Sequence, residues 1–240
     1  MESLLFFGAV LFAEVAGTIA GFGSSTILLP AALFFFDFPT ALILVAFAHI
    51  SGNIGRISFF RHGLDRRILF WFGIPSVILT IVGASLVART SVDILKSLLG
   101  VFLVCYGILS LFGKLSAVKA STARAAVGGG LSGFLAGLIG TGGALRGAFL
   151  TAFGLPKERY IATAAAIALA VDATRIPIYL REGFLPRGMY WYPAALFFLA
   201  LGGSFIGGKV VARIPQEKFR RAVLVALLLI GIYFVQGMAR

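Results

Sequence analysis

Long apolar runs, separated by short clusters of Arg, Lys, Gly and Pro, set the pattern of this chain. Six runs, roughly 40–60, 68–88, 94–112, 157–180, 188–208 and 218–238, reach the ~20 residues a helix needs to cross a ~30 Å hydrocarbon core. Four shorter ones, roughly 4–20, 25–36, 124–139 and 142–154, form two pairs, each joined at a glycine-rich break. The second member of each pair has about a dozen residues, ~18 Å of helix, too short to cross alone. Each pair predicts a helical hairpin whose break lies within the protein. Backbone exposed at membrane depth is tolerated only where protein or a wet cavity satisfies it.

The pattern repeats. Ala20-Gly21-Phe22-Gly23-Ser24-Ser25 is echoed by Ala136-Gly137-Leu138-Ile139-Gly140-Thr141-Gly142-Gly143. Pro39 answers Pro156, Arg61-His62-Gly63-Leu64 answers Arg181-Glu182-Gly183-Phe184, Trp71 answers Trp191, and Ala88-Arg89 answers Ala212-Arg213, all at offsets of roughly 120 residues. The predicted organisation is a first repeat over 1–113, a polar cytoplasmic linker over 114–123, and a second repeat over 124–240. An odd number of crossings per half inverts one half relative to the other. Loop charge favours this arrangement, which puts thirteen loop cations inside and five outside, where parallel halves would divide them nine and nine. Both chain ends then lie outside. Tyr190-Trp191-Tyr192 and Trp71 read as interfacial anchors on opposite faces. The expected fold is therefore an all-α integral membrane protein of two inverted repeats, each a glycine-broken short helical hairpin plus three full transmembrane helices.

Composition narrows the function. The chain is 60% hydrophobic with a mean hydropathy of +1.01, and only 12% of its residues are charged, too few to coat a soluble globule. A net charge of +12 would suggest nucleic acid in a soluble protein; here it reflects cytoplasmic loops rich in Lys and Arg, and no nucleic-acid partner is expected. Met1-Glu2-Ser3-Leu4 lacks the basic start of a signal peptide and reads as mature sequence. The lone Cys105 offers no internal disulfide and no cysteine-based metal site. HExxH, P-loop and serine-elbow motifs are absent. We expect no enzyme activity, no cofactor, no metal and no ATP, and hence movement of a solute driven by gradients across the bilayer.

Three arginines, Arg56, Arg146 and Arg175, fall inside spans rather than loops. Each needs a partner or a purpose, because a mid-membrane arginine costs ~2.5–3.5 kcal/mol on insertion scales. Arg146 follows Gly140-Thr141-Gly142-Gly143 by about one helical turn. With Thr141 as N-cap, that helix start presents unpaired N–H groups and partial positive charge, and the guanidinium adds a forked donor for carboxylate or sulfur oxyanions. Ser24, Ser25 and Thr26 form the matching start in the first half. The sequence favours an anion site built from Ser24, Ser25, Thr26, Thr141, Gly142, Gly143 and Arg146, with Arg175 as a further ligand. The competing reading pairs Arg146 with Glu14 as a structural brace.

His49, Asn53, Arg56 and Phe60 share one helical face, and Asp172, Arg175 and Tyr179 share its counterpart, with Asn53 answering Asp172 and Arg56 answering Arg175. Two readings stand for Asp172 and Arg175, cavity wall or mutual neutralisation at i, i+3. Arg56 lies within about a turn of its span's end and reads as snorkelling to the inside surface. Glu14, His49 and Asp172 are the candidates for coupling to a co-transported proton, with packing the commoner use of a lone membrane histidine.

The two halves, the Ala20-Gly21-Phe22-Gly23 break followed by Pro30, the second break Gly137-Leu138-Ile139-Gly140-Thr141-Gly142-Gly143, the Arg61-His62-Gly63 span end and the Ala-Arg then Gly-Ile close of each half resemble the TauE/SafE sulfite-exporter family. The resemblance covers nearly the whole chain. It implies an inner-membrane transporter of sulfur-containing anions, such as sulfite or an organosulfonate, working without ATP. The chain departs from the family pattern where substrate would sit. Ser24-Ser25 replaces a double glycine, Gly147 replaces a proline after Arg146, and the Gly-Thr start of the following helix is missing from both halves. The function expected is a gradient-driven secondary transporter, an exporter, of a small sulfur-containing anion. The alternatives are an anion channel, or a membrane subunit assembling with a partner enzyme. The small-residue faces Gly202-Gly203-Ser204 and Gly207-Gly208 pack either within the chain or between chains, which leaves a homodimer open.

Overall fold

The computed structural model describes residues 2–20, 23–59, 63–113, 120–210 and 216–236, and among them regular structure is helical throughout. The first half holds α1 (Glu2–Ala20), α2 (Ser25–Ala32) and α3 (Phe38–Phe59), then α4 (Arg66–Ile68), which runs through a π-helical turn (Leu69–Gly73) into α5 (Ile74–Val87), and α6 (Val92–Leu111). The second holds α7 (Thr122–Ile139), α8 (Gly143–Thr151), α9 (Lys157–Arg181), α10 (Tyr192–Val210) and α11 (Gln216–Gln236). The expected all-α membrane fold is present, with six helices long and apolar enough to cross a bilayer among the described residues. One of them is α7, whose 18 residues exceed the short piece expected there.

The breaks turn the chain back on itself. Gly17 of α1 lies so close to the backbone of Ser24 that a Cβ there would come within 2.5 Å of its nitrogen. Phe6, near the start of α1, meets Phe36 edge-on with ring centroids 4.8 Å apart, so α2 returns along α1. In the second half, Ser132 Oγ donates to the Gly142 carbonyl at 2.8 Å, and Gly128 lies under the Phe149 ring, so α8 returns along α7. The returning helices are shorter than the dozen residues expected. α2 has 8 and α8 has 9, because tight turns follow at Leu33 and at Gly154, the latter with φ +60°.

Packing between the halves follows their correspondence. α5 lies along α7 as α10 lies along α1; α10 meets α3 as α5 meets α9; α3 on α9, α6 on α11 and α2 on α8 join equivalent helices. Small residues make this possible. Gly129, Gly133 and Gly137 of α7 press against the Phe72, Ser76 and Thr80 carbonyls, leaving no room for a Cβ. Ser76 and Thr80 donate back to the Gly129 and Gly133 carbonyls at 2.8 and 3.0 Å. Gly203 and Gly207 of α10 face Leu11 and Val15 of α1, so these two glycines pack within the chain, while a Cβ on Gly202 or Gly208 would meet nothing within 4 Å.

α3 is the central helix. Its best apolar window is 78% buried, against 28% for α10, which carries a lipid-facing surface that includes Phe198. Trp71, Tyr190 and Trp191 are exposed as interfacial anchors should be, but Tyr192 is buried against Phe6 and Phe7, with its hydroxyl 3.0 Å from Ser3 Oγ. Phe60, Arg61-His62, Gly21-Phe22, most of the linker (114–119), Ala212-Arg213 and the extreme chain ends lie outside the described residues.

Candidate functional site

Both central helices carry an arginine that reaches across to the first helix of its own half. Arg56 of α3 donates from Nη1 to Asn53 Oδ1 (2.8 Å), from Nε to Thr18 Oγ1 (3.2 Å) and from Nη2 to Glu14 Oε2 (2.7 Å). Arg175 of α9 donates from Nε to Asp172 Oδ1 (2.9 Å), with Nη2 in ion-pair contact with the same oxygen at 2.8 Å, and from Nη1 to the Ala136 carbonyl (2.7 Å). Arg56 therefore does not snorkel. It is 6% exposed, because Glu14, fully buried, offers a charge partner that the membrane surface would not improve on. The brace between Arg146 and Glu14 is not formed for the same reason. Both Glu14 oxygens are taken, Oε2 by Arg56 and Ser204, and Oε1 by Ser24 Oγ at 2.5 Å.

The hairpin tips are held in equivalent ways, Ser24 by Glu14 of α1 and Gly142 by Ser132 of α7. The tips also touch. Thr26 Oγ1 and Thr141 Oγ1 are 2.8 Å apart, so both threonine hydroxyls are engaged with each other. Thr141 is not the N-cap of α8; that place belongs to Gly142, which caps with no side chain. Ser24 caps α2 by position, without a side-chain capping bond, since its hydroxyl goes to Glu14. Ser25 is buried beside it. The first ladder bond of α8 runs from the Arg146 N–H to the Gly142 carbonyl at 2.9 Å, so the amides of Gly143, Ala144 and Leu145 have no acceptor within the helix.

Arg146 is 5% exposed, and no hydrogen bond or ion pair joins it to another described residue. It faces a cavity of about 40 Å³ whose wall includes Gly23, Asn53, Arg56, Gly143 and Tyr160. At ~10–15 Å³ per water, that is room for about three waters or one small oxyanion. Two further groups are unsatisfied among the described residues, Asn53 Nδ2 of the cavity wall and His49 Nε2, which lies against Gly23 of the wall rather than in the wall itself. Gly23, with φ +89°, is the gap between His49 and Arg146. A Cβ on it would come 3.3 Å from His49 Nε2 and 3.9 Å from Arg146 Nη2. His49 Nδ1 is committed to Asp172 Oδ2 at 2.7 Å, and Tyr179 donates to the Gly137 carbonyl behind it. Asp172 is thus both a neutralising partner of Arg175 and the anchor of the histidine.

The sequence-predicted residues divide accordingly. Arg146 and Gly143 line the cavity, whereas Ser24, Ser25, Thr26, Thr141 and Gly142 form the buried tips beside it, and Glu14, Asp172 and Arg175 form the braces behind. Gly23, Asn53 and Arg56 are additional wall residues. The equivalence of Arg56 with Arg175 was the available signal for the last. Among the described residues no group of His, Cys, Asp and Glu is arranged to hold a metal.

Gly140, at the second tip, packs against Leu42 and Leu29, both fully buried, and the cavity wall includes Tyr160 and Ile161 near the start of α9. The family model described as Sulfite exporter TauE/SafE matches residues 6–234 of the chain. No curated protein and no solved structure matches it.

Proposed function

The chain belongs to the TauE/SafE sulfite-exporter family, and on that footing we propose that it is a gradient-driven transporter whose cavity at Arg146 binds one small sulfur oxyanion. The observation that carries this reading is a buried guanidinium without a partner among the described residues, one turn into a helix whose first amides have no acceptor within it. The insertion cost of such a charge is recovered only when an anion sits on it. Asn53 Nδ2 supplies a further donor. The cavity's size suits sulfite or the head group of an organosulfonate, whose tail would run along Tyr160 and Ile161.

Transport would follow from the two repeats, 1–113 and 124–240, rocking as inverted halves about the paired tips at Thr26 and Thr141. The cavity wall includes Tyr160 and Ile161 near the start of α9, next to Arg159 in the chain; the positive-inside rule makes that end of α9 cytoplasmic, with both chain termini outside. Access from that side would suit loading from the cytoplasm and hence export. Packing of Gly140 against Leu29 and Leu42 at the second tip favours alternating access over a continuous channel. Purified protein in proteoliposomes tests this. Saturable sulfite efflux with counterflow, lost in Arg146→Gln, is expected; non-saturating flux would support a channel, and no flux without an added protein would support a partner-dependent subunit.

A further inference from the structure

The charges around the cavity do not cancel. Glu14 pairs with Arg56 and Asp172 with Arg175, which leaves Arg146, among the described residues, as one uncompensated positive charge. A monoanion would neutralise it; a dianion such as fully ionised sulfite would leave the buried site one charge negative. The group able to supply the missing charge is already in place.

That group is His49. Its Nδ1 lies 2.7 Å from Asp172 Oδ2, and this carboxylate is ion-paired with Arg175 through its other oxygen, which accepts from Nε, so Nδ1 carries the hydrogen and donates it. The opposite nitrogen, Nε2, is then a bare lone pair. It is buried without a partner and looks across Gly23 toward Arg146. The charged and titratable groups facing it are few. α9 brings Asp172, with Arg175 paired to it, and Tyr160 in the cavity wall; α8 brings Arg146; and its own helix brings Arg56, paired with Glu14 of α1. Glu14 is fixed by Arg56, Ser24 and Ser204, and Tyr179 by the Gly137 carbonyl, which leaves His49 Nε2 as the unengaged proton acceptor.

Resting on the reading of this cavity as an anion site, the geometry points to His49 as the proton carrier, binding one proton with each dianion. The proton comes from water in the cavity and goes to the Nε2 lone pair, while Nδ1 keeps its hydrogen. With the anion absent, the nearby Arg146 opposes a second positive charge. With a dianion on Arg146, that opposition becomes attraction, and the imidazolium Nε2–H adds a donor to the site. Proton and dianion therefore favour each other, and by linkage the effect is mutual. A monoanion needs no such proton.

Two probes separate the cases: sulfite, above its own second ionisation, and methanesulfonate, a permanent monoanion. Binding to the detergent-purified full chain is measured calorimetrically in two buffers of different ionisation enthalpy, which counts protons taken up. Wild type should take up close to one proton per sulfite and far less with methanesulfonate. His49→Gln should take up none with sulfite and lose at least tenfold more affinity for sulfite than for methanesulfonate. No proton uptake by wild type on sulfite binding overturns the inference, whatever the variant does. Unchanged uptake in His49→Gln, or equal loss for both anions, overturns it too. Arg146→Gln separates the two readings. If it binds both anions with wild-type affinity, the site itself is wrong; if its affinity for both falls while His49→Gln behaves as wild type, the proton assignment alone fails.

Discussion

Arg56 and Arg175 hold equivalent places in the two halves but take their carboxylates from different directions. Each donates to the residue three positions before it, Asn53 for Arg56 and Asp172 for Arg175. In the second half that residue is itself the counter-charge. In the first half it is an amide, and the counter-charge arrives from α1 as Glu14. One helix face thus neutralises itself, while the other depends on a neighbouring helix to close it.

That difference predicts a rescue. Glu14→Gln leaves Arg56 buried without a counter-charge, and breaking one side of a buried pair costs about 3–5 kcal/mol. Adding Asn53→Asp would give Arg56 the arrangement that Arg175 already has. We expect Glu14→Gln to lower the unfolding temperature of the purified protein strongly, and the double variant to regain more than half of the loss. A double variant as unstable as the single one would mean that the carboxylate matters for Ser24 and Ser204 rather than for Arg56.

Arg146→Gln should behave in the opposite way. With no partner among the described residues to orphan, the substitution removes a buried charge, and the unfolding temperature of the ligand-free protein should hold or rise. Hydrogen bonds to charged groups contribute about 1.5–3 kcal/mol, so sulfite affinity should fall about 10- to 100-fold. Thermal stabilisation by added sulfite reads both effects in one titration. A large loss of stability without ligand would identify Arg146 as a brace instead.

Gly23→Ala should impair binding beyond its backbone cost. Gly23 and Gly154 both have left-handed φ, +89° and +60°, so alanine strains both, by about 1–2 kcal/mol. They differ in surroundings. A Cβ at Gly154 meets nothing within 4 Å, while one at Gly23 enters the gap between His49 and Arg146. Gly154→Ala should therefore lower stability while transport persists, and Gly23→Ala should lose sulfite binding as well. Equal transport by the two variants would remove Gly23 from the site.

Much of this was legible in the chain. Hydropathy gave the long helices, and the recurrence of glycine breaks gave two hairpins whose starts face each other, as Thr26 and Thr141 do. Arg146 stood out because its position one turn past a glycine break has a direct physical meaning. Where the reading failed, the answer depended on contacts between distant segments. Arg56 lies near a helix end, which suggests snorkelling, and only the approach of α1 brings Glu14 to it. Thr141 suits an N-cap, but its hydroxyl meets a closer partner across the tip. The aromatic trio at 190–192 reads alike along the chain, whereas helix packing turns Tyr192 inward.

The contact between the tips makes the motion itself testable. Thr26 and Thr141 are the point where the two halves' broken helices touch, and their side-chain oxygens are 2.8 Å apart. The spacing brings the two side chains close enough for cysteines at these positions to bridge. The chain's one cysteine, Cys105, lies exposed on α6 and is removed first by Cys105→Ala. If the tips separate as access passes from one side to the other, oxidation of Thr26→Cys/Thr141→Cys should stop sulfite flux in proteoliposomes, and reduction should restore it. Sulfite binding from the open side should survive the bridge, since neither threonine lines the cavity. Flux that continues at full rate in the oxidised protein would mean that the tips move as one body, and the hinge would then have to lie at the interfaces of α5 with α7 and α10 with α1.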